Sequence, residues 1–328
     1  MFDLVKFELK KNGKFIFYIY CIGRVDVPGY FFSDIFFDLK IKEISRKRLG
    51  IFSLVKFRSK IKNNYCLIFC EENKILKSLL RLNLFEVPFF VDQTIDLSIG
   101  RNAVIKGYRK NRKSLELRKI KKFSYSYEVK EKITDLKNIY EKMYVPLMSK
   151  RHKSKPEKFL DFKKYFKDGC LLVFCNEVAV GFASLLKERD GLVVRRMGVL
   201  DASQELYSKG VMTAVHYFLI EHALDSKFHF LSLGYSVPFL DDGVLIYKNK
   251  WGAKLSYDSK VSTSYFGVGK ISKQMSEIFY GKPLIYVNKN KLGALIFGGK
   301  RDKFNVNGVD KMIDTSYFQG IDSLSQLN

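Results

Sequence analysis

Between Cys170 and Leu200 the chain carries three apolar runs, CLLVFC, AVGFASLL and LVVRRMGVL, parted by the turn-forming dipeptides Asn176-Glu177 and Asp190-Gly191. Runs of that length around two-residue turns predict a three-strand antiparallel meander. A meander cannot stand alone; it must bury a face against helices or a second sheet. The flanking sequence supplies them. Upstream, Ile133, Leu136, Tyr140, Met143 and Leu147 follow a helical spacing that Pro146 ends or kinks. Pro156 then opens a second helix with Phe159, Phe162 and Phe166. Downstream, the loop DASQELYSKG leads into an amphipathic helix with Val211, Ala214, Val215, Phe218 and Leu219. A strand over 228–234, a loop YSVPFLDD, a short helix over 243–251 ended by Gly252, and a strand from Ala253 complete the order. The expected class is α/β: two mixed-sheet domains flanked by helices.

The front third reads as strands FDLVKFEL and KFIFYIYCIG, a helix capped by Ser33 over 34–48, strands over 51–57 and 65–70, a helix over 72–82 and a strand over 87–91. Residues 101–122 are the most basic element, ten Lys and Arg against Glu116. They suit a phosphate backbone, an anionic membrane or a solvated linker helix. Domains are accordingly expected at 1–125 with the basic linker at its end, at 126–265, and as a C-terminal extension over 266–328 that packs back on the first domain.

Hydrophobic residues make up 47% of the chain and aromatic residues 15%, which excludes a largely disordered chain. The longest apolar run, over 15–22, falls well short of the ~20 residues a spanning helix needs. Five cysteines, Cys21, Cys66, Cys70, Cys170 and Cys175, show no C-x-x-C spacing, so buried reduced thiols in the cytoplasm are expected and no metal. Against 34 Asp and Glu stand 58 Lys and Arg, a net charge of +24. That field draws anions, whether nucleotide donor, tRNA or the anionic inner face of a membrane.

The element order, read with YSKGVMTAV and GVLIYKNKWGAKL, resembles the acyl-coenzyme A N-acyltransferase (GNAT) fold. Of that family's donor loop, Q/R-x-x-G-x-G/A, the middle glycine is present as Gly210, with Tyr207 and Met212 in the flanking places. The stretch FLSLGYSVPFLDDGVLIYKNKWGAKL is similar to the FemAB-like and cellulose-biosynthesis-associated branch, in Gly234, Ser236, Pro238, Asp242, Gly243, Tyr247, Lys248, Trp251 and Gly252. MYVPLMSKRH matches an element of the same branch, with Tyr144, Arg151 and His152.

The resemblance implies direct attack of an amine on an activated acyl carbon, with no covalent enzyme intermediate. It implies that Met197, Gly198 and Val199 line the donor and polarise its carbonyl, and that Lys209, Gly210, Val211 and Met212 cradle the phosphates. Tyr247 is then the proton donor to the departing thiolate, or else a core contact. Lys248 offsets phosphate or oxyanion charge, and Asp242 is the base or simply a helix cap. Tyr144, Arg151, His152 and Ser236 face the acceptor, an amine of an amino sugar or other envelope precursor. The donor is acyl-coenzyme A or, as in the branch's peptidoglycan members, aminoacyl-tRNA. A scaffold without activity and a nucleic-acid-binding protein are the readings from other classes.

Overall fold

The computed structural model describes residues 1–23, 39–108, 116–152, 154–279, 282–297, 303–306, 309–312 and 319–327. The expected helix start at Ser33 lies outside them. The chain is mixed α/β, with mixed sheets flanked by helices. It divides into two compact units. One comprises Met1–Val91, Ser236–Ile246 and Leu255–Asn328; the other comprises Asp92–Tyr235 and Tyr247–Lys254. The basic segment thus belongs with the second unit, and the C-terminal residues with the first.

The first unit is built on a nine-stranded sheet. Its order is Ile321–Leu327, Lys291–Phe297, Leu284–Asn288, Leu84–Pro88, Thr263–Val268, Cys66–Glu71, Lys14–Ile22, Phe2–Lys11 and Lys40–Leu49. Alternation explains how its middle is covered. Phe17, Ile19, Cys21, Leu67 and Phe69 belong to one core cluster. Their neighbours Tyr20, Ile22, Cys66, Ile68 and Cys70 belong to another, with Leu54, Ile61, Leu76 and Leu80 of two helices. Side chains of period two on a strand buried on both faces must divide in this way. Burial pushes the Cys66 thiol up to about 12 and the Cys70 and Cys170 thiols higher still, so all three stay protonated.

Two expectations in this unit are corrected. Residues 40–48 form an edge strand, not a helix, because Lys40–Leu49 pairs along Phe2–Lys11 from Phe2↔Leu49 to Lys10↔Lys40. Residues 51–57 begin a helix, Ile51–Asn63, not a strand. Leu54, Phe57 and Ile61 repeat at three and four residues and dock on the sheet, and that longer period outweighs the local β-branched look of IFSLVKF.

In the second unit the antiparallel strands Ser126–Lys130, Cys170–Cys175, Val178–Ser184 and Met197–Val199 form a four-stranded sheet in that order. A five-stranded sheet runs Leu186–Glu188, Gly191–Val193, Phe230–Ser236, Val91–Asp96 and Lys254–Ser256. Asn176 and Glu177 both take positive φ, 47° and 65°, as a tight hairpin turn of strands requires. The next turn falls one residue early, on Arg189-Asp190, with Gly191 already paired to Glu188.

The second and third strands of the expected meander are each broken in two. The break is stitched by one side chain: the Ser184 hydroxyl accepts the N–H groups of Arg195 and Arg196 at 3.2 and 2.9 Å. The strand beginning at Gly191 thereby leaves one sheet and joins the other. The Pro146 helix also departs from regular geometry. After Leu136–Ile139, i→i−5 hydrogen bonds close the turns, Val145 N–H to Tyr140 and His152 N–H to Leu147. Proline has no N–H for an i→i−4 bond, so the helix widens around it.

Candidate functional site

The site grows from the strand break. Gly191–Val193 runs parallel to Phe230–Ser236, and the last bond between them is Val194 N–H to the Ser232 carbonyl at 3.0 Å. Beyond it the two segments part. Among the described residues Met197–Val199 pairs only with Val178–Ser184 and is the edge of the four-stranded sheet. Gly234, at the fork, has φ +77°, and a Cβ there would lie 2.5 Å from the Val194 carbonyl oxygen. Only glycine combines that backbone with that approach.

Phe230–Ser236 keeps Val91–Asp96 on its other side, but its pairing with Gly191–Val193 ends at Ser232, and a buried carbonyl needs a donor. Lys248 provides it. Its ammonium donates to the carbonyls of Gly234 and Tyr235 at 2.8 and 2.9 Å, and the residue is only 3% exposed. An ion so buried is tolerable only when its protons are bound in this way. The structure therefore gives Lys248 a post within the fork, on the strand itself.

A second layer of charge surrounds the break. The Arg195 guanidinium lies over the Tyr235 ring at 4.2 Å, with Nη1 4.0 Å from the Asp92 carboxylate. Asp92 in turn accepts the Ser232 hydroxyl at 2.8 Å. The Arg196 guanidinium grips Glu157 through two bonds, 2.5 and 2.9 Å, and lies over Tyr165. None of Arg195, Arg196, Asp92 and Glu157 was singled out from the sequence. The available signal was the pair of arginines interrupting GLVVRRMGVL, since adjacent charges inside an apolar strand need buried partners.

The residues expected to form a donor loop pack beside the same break. Gly210 has φ +87° and precedes the helix Val211–Asp225. Val199 and Val211 share one core cluster, against which Met197, Met212 and Tyr247 pack. The rim is basic: Lys119 donates to the Ser208 carbonyl at 3.0 Å and its stem crosses Gly210, while Arg151 lies over the Tyr207 ring at 4.0 Å. Lys209 is held on Glu205. Burial raises the Tyr207 phenol, and Arg151 partly offsets it. A carboxylate is also present: Glu116 accepts the Thr213 hydroxyl at 2.8 Å in the helix's first turn.

The remaining residues are placed as follows. Tyr247 presents its ring edge-on to His216 at 5.0 Å, with its hydroxyl buried. His216 stacks on Trp251 and holds the Met212 carbonyl through Nδ1 at 2.8 Å. Tyr144 is buried among Tyr140 and Phe162, its phenol pushed up to about 12 by burial. His152 is exposed at the end of the widened helix. Asp242 caps the helix Gly243–Asn249, accepting the Leu245 N–H at 2.6 Å. Asp242 and the buried Ser236 fall in the first unit, and Met197–Val199, Gly210–Met212, Tyr247 and Lys248 in the second. A separate cavity of about 310 Å³, lined by Ile133, Asn138, Lys142, Leu172 and Leu200 among others, holds none of the expected site residues. No group of His, Cys, Asp and Glu among the described residues could hold a metal ion.

No family model and no curated protein matches the chain. Among solved structures, it is similar to FemX, with 11% identity over 81% of this chain and 88% of that one, at a TM-score of 0.44. It is similar to L-PGS from Bacillus licheniformis, with 11% identity over 84% and 83%, at 0.38. It is also similar to a GCN5-related N-acetyltransferase from Anabaena variabilis, with 10% identity over 92% and 72%, at 0.32. Likeness at these scores assigns no property of those proteins to this chain.

Proposed function

We propose that the chain is an N-acyltransferase of GNAT-like, FemAB-like type, moving an acyl group by direct attack of an amine. The observation that carries the reading is the fork: paired strands that part at Val194 and Gly234, beside a glycine-led helix start with a basic rim. A fork of this kind leaves the N–H groups of an edge strand, Met197–Val199, for a carbonyl oxygen that gains charge as the amine attacks. Holding donor and amine together accounts for much of such a rate.

The donor is anionic, suited to Lys119, Lys209 and Arg151, and acyl-coenzyme A is the first reading. Glu116 favours the second, aminoacyl-tRNA, because its carboxylate stands where a diphosphate would approach Thr213. In either case Tyr247 is the proton donor to the leaving group and Lys248 holds the fork open. The acceptor, an amine of an amino sugar or envelope precursor, comes from the sequence resemblance alone. Asp242 as base and Tyr144, Arg151, His152 and Ser236 as acceptor contacts belong to the same reading.

Calorimetric titration with acetyl-coenzyme A and, separately, with aminoacyl-tRNA tests it. Saturable binding of one donor, lost in Gly210→Trp, is expected. Binding of neither removes the transferase reading and leaves a scaffold. With the donor in hand, Tyr247→Phe should lower turnover while leaving donor affinity within about twofold. Wild-type turnover would take Tyr247 off the catalytic list.

A further inference from the structure

In the basic segment at 101–122, Arg101 pairs with Glu221 and Asp225, and Lys119 holds the Ser208 carbonyl. A different surface combines charge with exposed hydrocarbon. Residues 40–62 of the first unit hold nine Lys and Arg against one acid, Glu43, which is bonded to Arg46. They form the edge strand Lys40–Leu49, exposed along most of its length, and the helix Ile51–Asn63 that follows after Gly50.

Edge lysines alone have a sufficient explanation, since they discourage strand addition. The helix has no such explanation. Leu54 and Ile61 take its inward side. At 100° per residue, Phe52 and Lys56 fall on the opposite side and Val55 on the flank, while Ile51, in the first turn, lies nearer the inward side but is exposed there. Phe52 is 88% exposed, Ile51 52% and Val55 48%. Three large apolar side chains in water, flanked by Lys56, Lys60 and Lys62 and following directly on Arg46, Lys47 and Arg48, form an amphipathic surface turned outward.

We propose that this face, strand Lys40–Leu49 with helix Ile51–Asn63, docks on an anionic lipid bilayer. The cations meet the headgroups, and Phe52 with Ile51 and Val55 enters the headgroup–acyl boundary. Charge complementarity selects an anionic partner. The aliphatic members select lipid over nucleic acid, whose bases offer planar faces for aromatic rings but no hydrocarbon layer for Ile51 and Val55. Among the described residues no helix is long and apolar enough to cross a membrane.

The test is co-sedimentation of the full chain with vesicles of phosphatidylcholine alone and of phosphatidylcholine and phosphatidylglycerol in equal parts. Binding to the second and not the first is expected. Phe52→Asp should lower partitioning roughly tenfold, and the pair Lys56→Glu and Lys60→Glu by at least as much. Leu160→Asp, at an apolar side chain 73% exposed in the other unit, should leave it unchanged. All the substituted positions are exposed, and matching circular dichroism spectra establish that the variants fold. No preference for the anionic vesicles, or equal binding by Phe52→Asp, overturns the proposal. So does polyuridylate RNA bound tightly by a chain that ignores vesicles.

Discussion

Lys248 shows how one residue can be read in two ways from sequence and in one way from its surroundings. In sequence it is a cation beside Tyr247, suited to an oxyanion or to water. In the fold its ammonium donates to the carbonyls of Gly234 and Tyr235, at the point where the two strands part. Lys248→Met should cost about 1–3 kcal/mol, because the chain keeps buried acceptors and loses their donor. Chemical denaturation measures this. A variant with full stability and lost turnover would instead make Lys248 a catalytic group. Gly234 admits a prediction of the same kind. Gly234→Ala combines a left-handed backbone with a 2.5 Å approach to a carbonyl oxygen. It should lower stability by about 2 kcal/mol or more, seen as an earlier melting transition. An unchanged transition would mean that the strands are not forked there.

At the level of elements, the helix Val211–Asp225 links the Gly210 turn to the core. Its His222, half-buried near the C-terminal end, is held below the ordinary histidine value by desolvation and by Lys187, with Asp225 opposing. A folded value below the unfolded 6.5 means that the unfolded chain binds the proton more readily. Stability contributed by the neutral ring is therefore complete above pH 6.5 and declines as pH falls below it. His222→Gln should flatten that part of the stability–pH curve, which urea unfolding across the range can check; an unaltered slope would exclude His222 as its source. The broken meander belongs to this scale as well. Turn chemistry at Asn176-Glu177 was plain in the sequence. The exit at Val194 was not, since it depends on Ser184, eleven residues upstream of Arg195, bonding across to its N–H.

For the whole molecule, a net charge of +24 means self-repulsion in the compact state. The melting temperature should rise as sodium chloride is increased from low to physiological concentration, because the Debye length shortens to ~8 Å. A flat or falling dependence would show that local pairing already cancels the repulsion.

The sequence by itself determined the α/β class, the hairpin over Asn176-Glu177 and the apolar face of the helix Val211–Asp225. Each is a matter of local periodicity, turn stereochemistry or composition. Tertiary structure decided which of 40–49 and 51–63 is strand and which helix. It decided where the third meander strand changes sheets, and which charges face each other across the fork. Those outcomes depend on partners distant in sequence, Phe2–Lys11 for the edge strand, Asp92 for Arg195 and Gly234 for Lys248, and hydrogen bonds between such partners leave no period along the chain.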